Sequence, residues 1–230
     1  ARWLPSVSVR DVDAAAGSVE AMGGTVLEPP QDFPDRGRLA VIADSEGAVL
    51  MLLRSSSGDP ERTSGGFAWA ELWTRDVAEA VRFYEGVFGY RALQSKEAGA
   101  ASTVVLTSDG TARATIVAAP GDDIEPNWVP YVLVADGRAT LSKARRHGGI
   151  VLATSDEVDG DVGAFAAIIA DPTGGVFAIQ VEEAGRPGQD RARASGLDAA
   201  VATQMEVHVA EQRVDHGQAL EVMTDGQFFR

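Results

Sequence analysis

The fold is decided by residues 129–149, whose sequence is VPYVLVADGRATLSKARRHGG. Its first part, Val129 to Ala135, is apolar and rich in β-branched residues, which predicts a strand. Asp136 follows, and its carboxylate can accept hydrogen bonds from the backbone N–H groups of a first helical turn. A short amphipathic helix with cationic side chains at its C-terminal end is predicted over 137–147. Gly148-Gly149 ends this helix, because glycine adopts the left-handed backbone conformation at little cost.

Three further strands are predicted after this helix. They cover Ile150 to Ala153, Phe165 to Ala170 and Val176 to Val181. The last two flank Asp171-Pro172-Thr173-Gly174, a turn in which proline presets φ and glycine tolerates positive φ. The complete unit is therefore a strand, a helix and three strands, or βαβββ.

The N-terminal part of the chain repeats this unit. Trp3 aligns with Trp128 at an offset of 125 residues. After a two-residue insertion, residues 40–44 (AVIAD) match residues 167–171 (AIIAD). So many matches in the same order indicate a duplicated supersecondary unit. We call this first copy A, over about residues 3–54, and the copy described above C, over about residues 127–182.

A weaker copy, B, lies between them over about residues 67–120. Its Arg75-Asp76-Val77 matches Arg10-Asp11-Val12. Apolar residues at helical spacing predict a helix over 76–88 that Gly89 ends. Ser108-Asp109-Gly110 predicts a tight hairpin turn between two more strands. Copies A, B and C thus share one order of elements.

Composition excludes several classes of protein. The 230 residues suffice for one to two domains. A net charge of −14 argues against nucleic-acid and anionic-membrane partners, which require a basic surface. The absence of cysteine excludes disulfides, thiol catalysis and cysteine-ligated zinc. The sequence contains no apolar run of ~18–20 residues and no visible signal peptide, which favours a cytoplasmic protein.

Two stretches of sequence resemble the vicinal oxygen chelate superfamily, which includes glyoxalase I, bleomycin resistance proteins and extradiol dioxygenases. The first is residues 71–76 (ELWTRD) with the helix residues 80–84 (AVRFY) and 87–90 (VFGY). These are similar to the family's strand, capping aspartate and helix end. The second is residues 170–174 (ADPTG) with 176–179 (VFAI), which is similar to its last hairpin. The resemblance, together with the repeat, covers about residues 3–182.

The resemblance implies an α+β fold of tandem βαβββ modules. In the family, two modules pair to form an open, cup-shaped mixed sheet with the helices outside. Copies B and C are adjacent, so residues 67–182 should form one complete glyoxalase-like domain. Residues 1–54 then match the second half of a first domain, residues 55–66 are a linker, and residues 183–230 are a partly disordered C-terminal tail.

The module at residues 1–54 needs another unit to cover its sheet, because a lone βαβββ unit leaves one sheet face open. Three explanations stay open. A preceding module is missing from this sequence, which begins at Ala1 rather than Met; a second copy of the chain supplies it in a homo-oligomer; or the tail replaces it. Ser6 and Ser8 are expected to face the cup of this first domain.

The resemblance also implies positions for metal ligands. Metal-dependent members place a ligand about seven residues before the capping aspartate and about seven after the aspartate of the DP-x-G turn. These positions are Trp69, Val129 and Ala178 here, and none binds a divalent ion well. We therefore expect no metal and no cofactor in the domain formed by copies B and C.

The three histidines do not replace the missing ligands. His147 lies at a predicted helix end, where a cationic or polar surface role is expected. His208 and His216 lie in the tail. Glu206 and His208 would share one face of a strand, but a solvated surface is the expectation for that pair.

Period-2 alternation identifies the residues that line the cup. Two indoles, a phenol, aliphatic groups, one carboxylate and one amide should face inwards, which suits a small, partly aromatic organic ligand. The alternative is that these aromatic side chains fill the cup themselves. The predicted ligand-binding residues are Trp69, Glu71, Trp73, Tyr131, Leu133 and Gln180.

Glu71 is the candidate catalytic residue. Burial between Trp69 and Trp73 would raise its pKa and suit it to general acid–base chemistry. It is alternatively an anchor for a cationic ligand, or an edge residue that points to water. Three functions follow: a metal-free small-molecule binder, a lyase, isomerase or oxygenase-type enzyme that uses Glu71, and a non-catalytic assembly module.

Overall fold

The protein was analysed as a computed structural model that describes residues 2–58, 66–94, 103–154 and 166–181. Most of the linker, residues 59–65, and the tail from residue 182 onwards, with His208 and His216, lie outside the described residues. No helix within the described ranges is long and apolar enough to span a bilayer.

The described residues form three units in which a strand and a helix are followed by three strands. The predicted tandem βαβββ arrangement of an α+β protein is thereby confirmed. The bounds are as follows: β1 (Ser6–Ser8), α1 (Val12–Ala21), β2 (Thr25–Phe33), β3 (Gly37–Ala43) and β4 (Val49–Ser55); β5 (Phe67–Thr74), α2 (Val77–Phe88), β6 (Arg91–Gln94), β7 (Val104–Ser108) and β8 (Thr111–Ala118); β9 (Asn127–Val134), α3 (Gly137–Arg146), β10 (Ile150–Thr154), β11 (Ala166–Ala170) and β12 (Val176–Val181).

The capping aspartates begin all three helices. The side chains of Asp11, Asp76 and Asp136 each accept a hydrogen bond of 2.9–3.0 Å from the backbone N–H three residues later. Each satisfies one of the N–H groups that a helix leaves unpaired at its start. Gly89 ends α2 in the left-handed conformation, with φ of 67°. The sequence patterns that predicted these boundaries are therefore confirmed.

The strands form two open mixed sheets. The first unit is a four-stranded sheet of order β1-β4-β3-β2. The second and third units share an eight-stranded sheet of order β10-β11-β12-β9-β5-β8-β7-β6. The two halves of the larger sheet join through antiparallel pairing of β5 with β9, where Ala70 lies opposite Pro130.

The larger sheet separates two sets of side chains because neighbouring residues on a strand point to opposite faces. On β5, Leu72 packs on the side of α2, in the same cluster as Phe83. Trp73 packs on the opposite face with Val129. We call the face that carries α2 and α3 the outer face and the other the inner face.

The smaller sheet is attached through the outer face of the larger one. Val19 of α1 and Leu50 of β4 belong to one continuous core with Phe83 of α2 and Leu106 of β7, and all four are fully buried. Gly24 lies at this contact, where a Cβ atom would approach Phe83 to 2.9 Å. The close approach requires a residue without a side chain.

The open side of the smaller sheet carries Ser6 and Ser8, which are exposed. β1 pairs with β4 only, and its other edge has no neighbouring strand within the described ranges. Val7, between the two serines, packs towards the shared core. Both serines therefore lie on the face away from that core, as the period-2 pattern predicts.

A buried chain of hydrogen bonds crosses the contact between the sheets. The Tyr84 hydroxyl donates to Asp44 Oδ2 at 2.8 Å, and Trp128 Nε1 donates to the Tyr84 oxygen at 2.9 Å. Asp44 Oδ1 also accepts from the backbone N–H groups of Glu46 and Ala48. The chain joins one residue from each unit, so the three units are held by specific polar contacts as well as by the core.

The Tyr84→Phe substitution tests this chain. Removing the hydroxyl deprives Asp44 of a donor and Trp128 of an acceptor, and we expect the free energy of unfolding to fall by about 2–3 kcal/mol. Urea unfolding measures this loss. The control is Tyr90→Phe, because the Tyr90 hydroxyl makes no hydrogen bond within the described part of the chain; its loss should stay below about 0.5 kcal/mol. Equal losses of unfolding free energy for Tyr84→Phe and Tyr90→Phe would contradict a stabilising role of this hydrogen-bond chain.

Candidate functional site

The inner face of the larger sheet carries a polar group surrounded by aromatic side chains. β5 contributes Trp69, Glu71 and Trp73, which alternate along the strand. The neighbouring strands contribute Thr115, opposite Glu71 on β8, and Tyr131, opposite Trp69 on β9. We call these five residues the inner cluster.

The Glu71 carboxylate lies at the centre of the inner cluster and is only 2% exposed. Its Oε1 accepts hydrogen bonds from Trp73 Nε1 at 3.0 Å and from the Tyr131 hydroxyl at 3.2 Å. Its Oε2 accepts one from Thr115 Oγ1 at 3.1 Å. Three donors therefore converge on a single buried carboxylate.

The network continues to the second indole. Trp69 Nε1 donates to Thr115 Oγ1 at 3.2 Å, while the Thr115 hydroxyl donates to Glu71. Buried polar groups that are fully paired restrict the side chains that carry them, since each lost bond leaves an unpaired group away from water. Glu71 thereby fixes the orientation of both tryptophans and of Tyr131.

Burial raises the pKa of Glu71, and the donors Trp73, Thr115 and Tyr131 lower it in part. Burial also raises the pKa of Tyr131 well above its usual range, and the neighbouring Glu71 raises it further. The expected desolvation of Glu71 is confirmed. The alternative that Glu71 is an edge residue pointing to water is wrong, because β5 lies in the middle of an eight-stranded sheet.

Two of the predicted ligand-binding residues lie away from this cluster. Leu133 follows Tyr131 by two positions on β9, and Gln180 of β12 lies opposite it in the register. Both are half-buried. The structure thus brings Trp69, Glu71, Trp73 and Tyr131 together and leaves Leu133 and Gln180 further along the inner face.

A cavity of about 200 Å³ opens beside Trp73, at one end of the inner face. The inner cluster itself is packed, with Tyr131 1% and Trp73 6% exposed, so the aromatic side chains fill the middle of the face and leave space at its end. The residues that surround this space are Arg2, Trp73, Ile124, Glu125, Asn127, Gly174 and Val176.

Period-2 alternation identified Trp73 of this lining from the sequence. It missed Arg2 and Asn127. Arg2 precedes the first unit and reaches the third unit only through the tertiary fold. Asn127 begins β9, opposite Trp73 in the register. Its position just before the apolar run of a strand was the one available signal.

The donor atoms on the inner face do not fit a divalent metal ion. Trp69, Val129 and Ala178 occupy the positions where the family resemblance implies ligands, and none of these side chains is a metal ligand. Glu71 is the carboxylate of the inner cluster, and it already accepts three hydrogen bonds. Within the described ranges, no three His, Cys, Asp or Glu side chains converge. His147 is exposed at the end of α3.

Residues 66–179 match the family model of the Glyoxalase/Bleomycin resistance protein/Dioxygenase superfamily. A Mycobacterium tuberculosis protein named "Putative glyoxylase CFP32" is 31% identical over 180 residues, which cover 77% of this chain and 68% of that protein. The chain belongs to this superfamily.

Two further comparisons give a second relative and a solved structure that this chain resembles. "Anthracycline biosynthesis protein DauV" of Streptomyces sp. is 29% identical and is matched over 77% of this chain and 64% of its own length. This chain therefore spans about two thirds of the length of these relatives. The Mn(II)-bound glyoxalase of Novosphingobium aromaticivorans has the same fold, with a TM-score of 0.51, 16% identity, and coverage of 86% and 72% of the two chains.

The Glu71→Gln variant tests the electrostatics of the inner cluster. Because burial raises the folded pKa of Glu71 above its ordinary value of 4.5, the folded protein binds this proton more tightly than the unfolded chain does. The resulting stability is present below the unfolded pKa and is lost as pH rises through the folded pKa. Glutamine does not titrate, so the variant does not lose stability in this way. The free energy of unfolding of Glu71→Gln, relative to that of the wild type, should therefore increase as pH rises.

Urea unfolding between pH 4.5 and pH 8 measures how the free energy of unfolding of each protein changes with pH. The range begins at 4.5 because this is the ordinary pKa of the group. Glu20→Gln, on the exposed surface of α1, removes the same charge from solvent and should keep the wild-type slope. A Glu71→Gln curve parallel to that of the wild type would contradict the burial of an ionisable carboxylate here.

Proposed function

We propose that the domain formed by residues 67–182 binds a small, partly aromatic organic molecule beside Trp73, without a metal ion. The observation that carries this proposal is the cavity of about 200 Å³ next to the Trp73 indole, whose N–H is held by buried Glu71. A rigid aromatic surface next to open space is the usual setting for a flat ligand.

The size of the cavity supports a ligand with a single ring. An enclosed apolar cavity of about 150 Å³ is large enough for benzene. This cavity is somewhat larger and opens to solvent, so further substituents of the ligand extend outwards. Ile124 and Val176 provide apolar contacts beside the indole of Trp73.

The position of Glu71 favours binding over acid–base catalysis. A general base must come within hydrogen-bond reach of the proton that it removes. Glu71 is 2% exposed, and its oxygens are engaged by three donors of the protein itself. It does not line the cavity, and Trp73 lies between the two. Its role in this proposal is to position the indole.

The relatives support a small-molecule function in general terms. One is named a glyoxylase and another an anthracycline biosynthesis protein, and both names refer to chemistry on small organic compounds. The shared family makes a ligand site in the paired-module domain a reasonable expectation for this chain too.

A binding experiment with single-ring aromatic compounds tests the proposal. Ligands that bind should shift the indole N–H resonance of Trp73 in NMR spectra of the isotope-labelled protein. Affinities measured by isothermal titration calorimetry should be about tenfold or more weaker for Trp73→Ala than for the wild type, as expected for loss of a central aromatic contact. The control is Phe33→Ala, because Phe33 is an aromatic residue of β2 that is 41% exposed and outside the cavity lining. Equal effects of both substitutions on the affinity would contradict a ligand site beside Trp73.

The metal-free part of the proposal has its own measurement. Elemental analysis of the purified protein should find divalent metal well below one ion per chain, and dialysis against a chelator should leave the affinity for the aromatic ligand unchanged. The physical reason is the donor set, since Trp69, Val129 and Ala178 provide no ligand atoms. One tightly held ion per chain, with binding lost on its removal, would overturn this part.

A further inference from the structure

The cavity beside Trp73 has an uneven charge distribution. A cationic residue, Arg2, and an anionic residue, Glu125, both belong to its lining. Glu125 is already engaged, because its Oε2 lies 2.9 Å from Nη2 of Arg75. Asn127 adds a neutral amide. The lining therefore combines Arg2 and Asn127 with a glutamate that is ion-paired with a residue outside the lining.

The placement of Arg2 is set by the packing of its neighbour Trp3. Trp3 Nε1 donates to Asp171 Oδ2 at 3.1 Å, which ties the segment before the first sheet to the turn before β12. The indole also contacts the rings of Phe177 and Phe67, with centroids at 5.6 Å and 6.0 Å. Three contacts thus anchor the residue that follows Arg2.

The turn before β12 is shaped to receive Trp3. A Cβ atom on Gly175 would lie 3.0 Å from the Trp3 ring and 2.9 Å from Asp171, so a larger residue would disturb the contact. Asp171 does not compete for Arg2, because its Oδ1 accepts from the N–H groups of Thr173 and Gly175 while its Oδ2 accepts from Trp3.

We propose that the ligand of this domain is an aromatic carboxylate, whose ring packs against Trp73 and whose carboxylate faces Arg2. This inference rests on the proposed function and adds the chemical class of the ligand. Arg2 is a specificity-determining residue supplied from outside the 67–182 domain, and Trp3 is the residue that positions it. Guanidinium and carboxylate groups match in geometry and charge.

The local cation matters because the chain as a whole carries a net charge of −14, which repels anions. A carboxylate ligand is therefore held by a short-range contact and is not attracted by the electrostatic field of the protein as a whole. The contact lies near the surface, since Arg2 is exposed, so its contribution should be modest and should decrease with added salt.

Benzoate, benzamide and benzamidinium provide a matched test, because they share one ring and a planar substituent and differ in charge. Titrations followed by NMR of the Trp73 indole should find benzoate about fivefold tighter than benzamide at low salt, the size expected for an exposed charge pair, with benzamidinium weakest. The Arg2→Gln variant should lower the affinity for benzoate by about fivefold and that for benzamide by less than about twofold.

The matched control is Arg10→Gln, which removes the same charge from an exposed position outside the cavity lining. It should leave the preference for benzoate intact. Trp3→Ala retains the Arg2 charge but removes its anchor, and it should reduce the preference for benzoate over benzamide. Loss of stability alone would change both affinities together.

The outcomes separate the two proposals. If all three compounds shift Trp73 with equal affinity, or if benzamidinium binds best, the carboxylate inference is wrong and the aromatic site stands. If Arg10→Gln and Arg2→Gln have the same effect, the assignment to Arg2 is wrong. If no compound of the series affects Trp73 at millimolar concentration, both the inference and the proposed function fail.

Discussion

The antiparallel pairing of β5 with β9 is the interaction on which the rest of the structure depends. It joins two βαβββ units into one eight-stranded sheet and places both at the centre of it, with β12 and β8 on their outer sides. Each of these strands is therefore paired on both edges, and the side chains at the middle of the pair, Glu71, Leu72 and Val129, are buried. A polar side chain on either strand must find its hydrogen-bond partners within the protein.

Glu71 of β5 and Trp128 of β9 satisfy this requirement on opposite faces. On the inner face, Glu71 gathers Trp73, Thr115 and Tyr131 around one carboxylate. On the outer face, Trp128 of β9 reaches Asp44 of the smaller sheet through the hydroxyl of Tyr84. The same central strands thus organise the aromatic surface beside the cavity and the attachment of the smaller sheet.

The local features of the fold were predictable from the sequence, and the long-range ones were not. The helices begin at Asp76 and Asp136 and α2 ends at Gly89, because caps depend on residues a few positions apart. Period-2 alternation placed Glu71 and Trp73 on one face for the same reason. The nearness of Arg2 to Trp73 depends on the anchoring of Trp3 by Asp171, 168 positions away, and no local pattern encodes such a contact.

We propose that the paired-module domain binds an aromatic ring without a metal ion. Trp69, Val129 and Ala178 stand where the family resemblance implies metal ligands. The most direct measurement is a crystal structure of chelator-treated protein soaked with benzoate. We expect density for the ring against Trp73 and Val176, with no metal ion in the site. An empty cavity beside Trp73, or a ring that binds there only after a divalent ion is added, would contradict it.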